Sequence, residues 1–217
     1  MINRKIKNKL VILAGIILFA SCTSKKIFSE KWTQKTAPEE FRARFETTEG
    51  NFDIYAKRSW SPQGVDRLYS LIKYNYYTDM PIFRVVPKFV AQFGIHKDSV
   101  LNKAWNKFPI DDEPVIAKND SMTIAFARGG KKTRGTQIFI NLKENHRLDT
   151  LTYSGVTGFP VIAKVTKGFD NVLKFYNKYG DKLGYRQDSI SKYGNDFIKR
   201  KYPKVDFIQK AYLLKSK

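Results

Sequence analysis

A single cysteine in 217 residues rules out any disulfide within the chain, so stability has to come from packing alone. Histidine is almost as scarce. His96 and His146 stand apart from any cysteine or carboxylate constellation, which argues against a metal centre and makes both ordinary surface residues. Acidic residues number 20 against 40 basic ones, a formal charge of +20. The run Asp111-Asp112-Glu113 within this small acidic set reads as a solvent-facing loop rather than a calcium site. Long apolar runs are missing too. Residues 10–20 are apolar or glycine throughout, but a bilayer-spanning helix needs about twenty such residues. Gly129-Gly130-Lys131-Lys132 lacks the strand-to-helix context and spacing of a phosphate loop, and there is no internal repeat.

What is present begins with a basic start, Arg4, Lys5, Lys7 and Lys9, ahead of the apolar run, the pattern of a secretory signal. Leu18-Phe19-Ala20-Ser21 then leads into Cys22 and resembles a bacterial lipobox. The resemblance implies a cysteine thioether-linked to diacylglycerol, acylated, and first in the mature protein. The expected organisation is a signal peptide over 1–21, a lipidated cysteine and irregular polar tether over 22–40, and one domain over 41–217. The location that follows is the cell envelope, lipid-anchored and facing the periplasm or the exterior. Without the four basic residues ahead of residue 10, about +16 remains on the mature body. An exported chain with that charge points to anionic lipid or acidic unfolded clients, not to nucleic acid.

Alternation of Phe41, Ala43 and Phe45, then Phe52, Ile54 and Ala56 across a Glu49-Gly50 turn, predicts two paired strands. Ser61 as N-cap, Pro62 in the first turn and Val65, Leu68, Tyr69 and Ile72 at helical spacing predict an amphipathic helix. Further strands are expected over 82–86, 89–93, 123–127, 137–141, 161–165 and 205–213, and a second helix from Phe169, Val172, Leu173 and Tyr176. About eight strands and two helices argue for a barrel, with residues 96–121 and 177–203 as polar excursions.

Two ordered stretches carry a family resemblance. Ile82-Phe83-Arg84-Val85-Val86-Pro87-Lys88-Phe89-Val90-Ala91-Gln92-Phe93-Gly94 is similar to the cyclophilin signature, and Ala125-Phe126-Ala127-Arg128-Gly129-Gly130 through Gln137-Ile138-Phe139-Ile140-Asn141 resembles that family's glycine-rich loop and following strand. Leu148-Asp149, Gly158-Phe159-Pro160-Val161 and Tyr202-Pro203-Lys204-Val205-Asp206-Phe207 resemble later segments, especially of its divergent bacterial branch. The resemblance implies a mostly β fold, a closed eight-stranded antiparallel barrel capped by two α-helices, with its groove on the outer face of the sheet. It implies peptidyl-prolyl cis/trans isomerase activity on proline-containing polypeptide clients, without cofactor or metal, and no oligomer is expected.

By the same resemblance, Arg84 stabilises the twisted X-Pro amide and Gln92 bonds the substrate backbone. Phe89, Val90, Phe139, Leu148 and Phe159 form the apolar proline pocket. Ala127 and the main chain of Arg128 bind the peptide before the proline, and Gln137 orients its neighbours. The chain departs from the family at Lys88 and Phe93, where glycine is usual, at Phe83 and Phe159, where histidine is frequent, and near Arg147, where many relatives have a tryptophan that contacts cyclosporin. Of these, Lys88, Phe93 and Phe159 support an alternative, a catalytically weak cyclophilin-like module that holds clients or scaffolds an envelope complex. A further alternative is a basic protein bound by charge to anionic lipid.

Overall fold

The computed structural model describes residues 28–215; the signal sequence and Cys22 lie outside them. The alternation at the start of the domain produces β1 (Glu40–Thr47) and β2 (Phe52–Lys57), paired so that Phe45 faces Phe52 with the rings stacked 4.9 Å apart. The remaining strands are β3 (Met80–Pro81), β4 (Arg84–Val86), β5 (Val90–Phe93), β6 (Thr123–Phe126), β7 (Ile138–Asn141), β8 (Thr152–Tyr153), β9 (Val156–Thr157), β10 (Val161–Lys167) and β11 (Phe207–Leu213). Nine of them form one curled antiparallel sheet in the order β3-β11-β1-β2-β10-β6-β7-β5-β4, and β8 and β9 make a separate ribbon.

The expected closed eight-stranded barrel is therefore corrected to a curled sheet with two edges. The reason lies at residues 80–86. Pro81 offers no amide proton, and the Ile82 amide turns to the Asp206 carbonyl at 2.8 Å. The strand expected over 82–86 thus shortens to β4, which pairs with β5, while β3 just before it pairs with β11, and β3 and β4 are the edges.

Among the described residues six α-helices replace the expected two: α1 (Pro62–Lys73), α2 (Ser99–Asn106), α3 (Arg147–Thr150), α4 (Phe169–Leu173), α5 (Gly180–Gly184) and α6 (Gln187–Lys201). Helix α1 buries Val65, Leu68, Leu71 and Ile72 against the concave face of the sheet, where they join Phe45, Phe52, Ile54, Phe93, Phe126 and Ile140 in the main core. The second expected helix shrinks to α4. It stops because the Tyr176 amide is captured by the Asp206 carboxylate at 2.6 Å, and Phe169 and Leu173 remain exposed.

Helices α2, α5 and α6 lie inside the two polar excursions. Asp98 caps α2, accepting from the amides of Val100 at 2.9 Å and Leu101 at 3.3 Å. Gly194 breaks α6 with φ 59°, and a Cβ there would lie 2.6 Å from the Lys97 carbonyl oxygen, so the two excursions meet at a position that only glycine fits. Residues 28–37 also depart from the irregular tether expected of them. Trp32 stacks on Tyr74 at 4.5 Å, Phe28 meets Trp105 at 5.4 Å, and Glu30–Trp32 is a 3-10 turn.

Two further expectations are corrected. His96 is half-buried, its Nδ1 accepting from the Asp98 amide at 3.0 Å, and burial depresses its pKa; His146 is exposed as expected. Ser61 does not cap α1 with its own side chain. The Glu113 carboxylate reaches the helix from the first excursion instead, accepting from the amides of Gln63 at 2.8 Å and Gly64 at 3.1 Å and from the Ser61 hydroxyl. Arg134 donates to the same carboxylate at 2.8 Å, with the two side chains only 1% and 9% exposed. Glu113 is thus the buried centre of a network, not part of a solvent-facing run. Its acceptor-rich position at a helix N-terminus satisfies amides that would otherwise have no partner.

Burial opposes ionisation of Glu113 most strongly, yet the bonds from Ser61, Arg134 and the Gln63 amide outweigh it and hold the carboxyl below its ordinary value of 4.5. A depressed folded-state pKa adds stability that is fully present above 4.5 and is lost as pH falls through the folded value. Glu113→Gln should therefore cost about 3–5 kcal/mol at neutral pH, because Arg134 stays buried without its counter-charge. In urea melts at successive pH values the variant should also show a flatter acid limb; an unchanged limb would refute the assignment.

Candidate functional site

Strand register alone gathers the site. Arg84 of β4 lies opposite Gln92 of β5, Gln92 opposite Phe139 of β7, and Phe139 opposite Ala125 of β6. Directly opposed residues in an antiparallel ladder share a face. These four are therefore on one side of the sheet, while Ala91, Phe93, Ile124, Phe126, Ile138 and Ile140 point the other way into the main core. The face carrying Arg84 is the outer one.

On that face Val90, Ala125, Phe139 and Leu148 form a separate buried cluster, with Phe89, Ala127 and Phe159 partly buried around it. Phe139 and Phe159 meet edge to face at 5.9 Å. Because Phe139 and Leu148 are almost wholly covered, the apolar surface left open to a ligand belongs to Phe89, Ala127 and Phe159. A cleft of about 320 Å³ opens beside the cluster, lined by Gln92, Ala127, Arg128 and Gln137 and also by Asn106 and Gln187 from the two excursions. A larger hollow of about 830 Å³ lies elsewhere, over β1, β2 and β10, with Arg42, Arg44 and Tyr55 in its wall. It contains none of the expected site residues.

The polar groups form a chain. Arg84 Nη1 donates to Gln92 Oε1 at 3.2 Å, and Gln92 Nε2 donates to Gln137 Oε1 at 3.0 Å. The Gln137 carbonyl accepts from the Ala127 amide at 2.9 Å, which fixes the glycine-rich loop beside the strand. The Arg84 guanidinium stands 5.6 Å from the centre of the Phe89 ring, and the Arg147 guanidinium 5.2 Å from it. Phe89 is thus flanked by two cations that favour its ring face.

The side chain of Arg128 is committed elsewhere. It donates to the carbonyls of Tyr153, Val156 and Gly158, each at 2.9 Å, and lies 4.3 Å from the Phe159 ring centre. Its guanidinium holds the β8–β9 ribbon against the pocket, which leaves its main chain for the role the resemblance implies.

The departures from the family pattern each have a place. Phe83 packs with Leu183, Ile190, Phe197 and Ile198 in a second core beneath the later excursion, and Phe93 fills the main core. Lys88 sits at φ 58°, the left-handed backbone for which glycine is the usual residue. None of the three displaces Arg84.

Residues not anticipated from the sequence hold the pocket in shape. Asn141, fully buried, donates to Asn119 at 3.0 Å and Thr123 at 2.9 Å and accepts from Asn145 at 2.8 Å. Asn145 in turn donates to the Phe89 carbonyl at 2.9 Å, and Asn119 to the Phe159 carbonyl at 2.9 Å. Asn119 also donates to Asp149, which follows Leu148, at 2.7 Å. Three loops that present pocket residues are therefore tied to one asparagine. The sequence signal was an asparagine at the inner end of a strand, where β propensity is poor.

Among the described residues there is no cluster of three or more histidine, cysteine or acidic side chains placed to hold a metal. Residues 42–194 match the model of the cyclophilin-type peptidyl-prolyl cis-trans isomerase family. The chain is 26% identical over 185 residues to a peptidyl-prolyl cis-trans isomerase of Acinetobacter baylyi, covering 84% of this chain and 89% of that one. It is 25% identical over 159 residues to a peptidyl-prolyl cis-trans isomerase-like 2 protein of Rhizopus delemar, of which it spans 28%. In fold it is similar to a cyclophilin-type isomerase of Cryptosporidium parvum, with a TM-score of 0.56 and 17% identity over 82% of this chain and 99% of that one. The same parasite protein was also solved in the presence of the dipeptide Ala-Pro, with the same TM-score of 0.56.

Asn141→Ala should destabilise the chain by about 3 kcal/mol, since buried partners on three sides lose their bonds together. The shift of the urea midpoint measures it; a loss below about 1 kcal/mol would mean that the loops are held independently.

Proposed function

The chain belongs to the cyclophilin-type peptidyl-prolyl cis/trans isomerases, and from that premise we propose that it accelerates X-Pro rotation in exported polypeptides with Arg84 as the group that stabilises the twisted amide. Nothing covalent is made or broken. The task is to lower a barrier of about 18–20 kcal/mol that conjugation between the amide nitrogen and its carbonyl creates.

As the bond twists, the nitrogen lone pair localises and becomes a hydrogen-bond acceptor. A guanidinium beside it then gains an interaction that is weak in the planar ground state, which is the condition for rate enhancement rather than mere binding. The observation that carries this reading is the placement of Arg84: cross-strand from Gln92 and over the ring of Phe89, at the edge of the apolar cluster. Among the described residues, Arg84 Nη2 donates to no protein acceptor, and so it is free for a substrate. Phe89, Ala127 and Phe159 provide the surface that grips the proline ring, and Gln92 the bond to the peptide backbone.

In a proline-isomer exchange assay on the purified chain, Arg84→Ala should lower the catalysed rate roughly 10- to 100-fold, the equivalent of about 1.5–3 kcal/mol for a hydrogen bond to a charged group. The fold should remain intact. An undiminished rate would refute the mechanism.

The client class and the location belong to the same proposal. The basic start, the short apolar run and the residues before Cys22 support an envelope lipoprotein, which places the enzyme where newly exported chains wait on proline steps of tens of seconds or longer. Cys22→Ala should abolish incorporation of radiolabelled palmitate. Persistent labelling would overturn the lipobox reading.

A further inference from the structure

The later excursion places a carboxylate on the catalytic arginine. Asp181 Oδ1 accepts from Arg84 Nε at 2.6 Å, from helix α5, nearly a hundred residues along the chain from Arg84. The helix that carries it is firmly seated. Leu183 is fully buried in the second core with Phe83, Ile95, Ile190, Phe197 and Ile198, so Asp181 is delivered by a packed element rather than by a loop. Gly184 allows the helix to lie directly on the arginine stem: a Cβ there would be 3.0 Å from Arg84 Cδ and 3.3 Å from its Cγ.

We propose that Asp181 is a positioning residue for the isomerase reaction, holding the Arg84 guanidinium in the plane from which it reaches the prolyl nitrogen. This rests on the reading of Arg84 given above. Two bonds to different nitrogens fix a planar fork: Gln92 holds Nη1 from the sheet, and Asp181 holds Nε from the excursion. A free arginine side chain would have to give up its rotamer freedom at every turnover, and here the restriction is built into the unliganded enzyme.

The carboxylate also opposes the positive charge that the reaction uses. The two side chains are 25% and 45% exposed, so water and salt weaken that Coulomb effect, whereas the directional bond persists. Orientation therefore outweighs neutralisation. It follows that a neutral side chain of the same shape should serve almost as well as aspartate.

The test compares Asp181→Asn, Asp181→Ala, Arg84→Ala and the double alanine variant on the full chain, using NMR exchange of a proline peptide to separate affinity from the rate of isomerisation when bound. The expected result for Asp181→Ala is a roughly tenfold slower bound-state exchange with peptide affinity within twofold. Asp181→Asn should stay within about twofold in both, and Asp181→Ala should have no further effect once Arg84 is alanine. A thermal melt confirms that each variant is folded; should Asp181→Ala unfold, Asp181→Ser takes its place in the comparison with the same expectations.

If Asp181→Ala exchanges as fast as the parent or faster, while Arg84→Ala is slow, the positioning role is overturned. The same conclusion follows if Asp181→Asn is as slow as alanine, because charge would then matter rather than direction. If Arg84→Ala itself retains full activity, the failure lies with the proposed function of Arg84.

Discussion

Among the described residues three arginines are buried, Arg67, Arg128 and Arg134, and the fold has to answer for each. Arg134 is paired with Glu113, and Arg67 stacks over Trp105 at 5.2 Å while donating to the carbonyls of Gly135 and Phe108. Burial pushes Arg67 down to about 10, still far enough above neutrality for it to remain charged. A buried cation demands acceptors from every side. For Arg67 and Arg134 most of those acceptors come from the first excursion: Phe108, Asp111 and Glu113 all lie within residues 96–121. The excursion is therefore a structural part of the domain. It closes over α1, caps that helix, and places Asn106 and then Asn119 at the groove and beneath the pocket.

The same logic of one polar centre serving several loops recurs around Asn141. An outer-face pocket on a sheet has no second layer to hold it, so its loops need fixed anchors in the strand below. Asn119 and Asn145 supply them through bonds to main-chain carbonyls on either side of the apolar cluster, and Asn141 ties these two side chains together. The apolar residues could be exchanged for others of similar size more easily than these amides could be exchanged for anything.

Much of this was legible along the chain. Strands 40–57 and helix α1 fall where alternation and helical spacing put them, because one face of each is largely buried and the other is not. The cluster of Phe89, Val90, Phe139, Leu148 and Phe159 came from resemblance, since Val90 to Phe93 are buried on both faces and show no alternation. Helices α2, α5 and α6 were missed because their polar faces dominate short segments and Gly184 and Gly194 read as breakers. Glu113 and Asp181 could not have been found locally. Each acts on a group that is distant in sequence, and nothing in the neighbours of either marks it as bonded rather than solvated.

The edge strands β3 and β4 are consecutive in the chain, yet β3 is completed only by β11, whose Phe207 and Ile208 pair with Pro81 and Met80. Strand β11 also lies against β1. The opening strand β1 therefore lacks one of its two neighbours, and β3 its partner, until β11 packs between them. Assembly of the sheet would be a late, nearly all-at-once event rather than a gradual one.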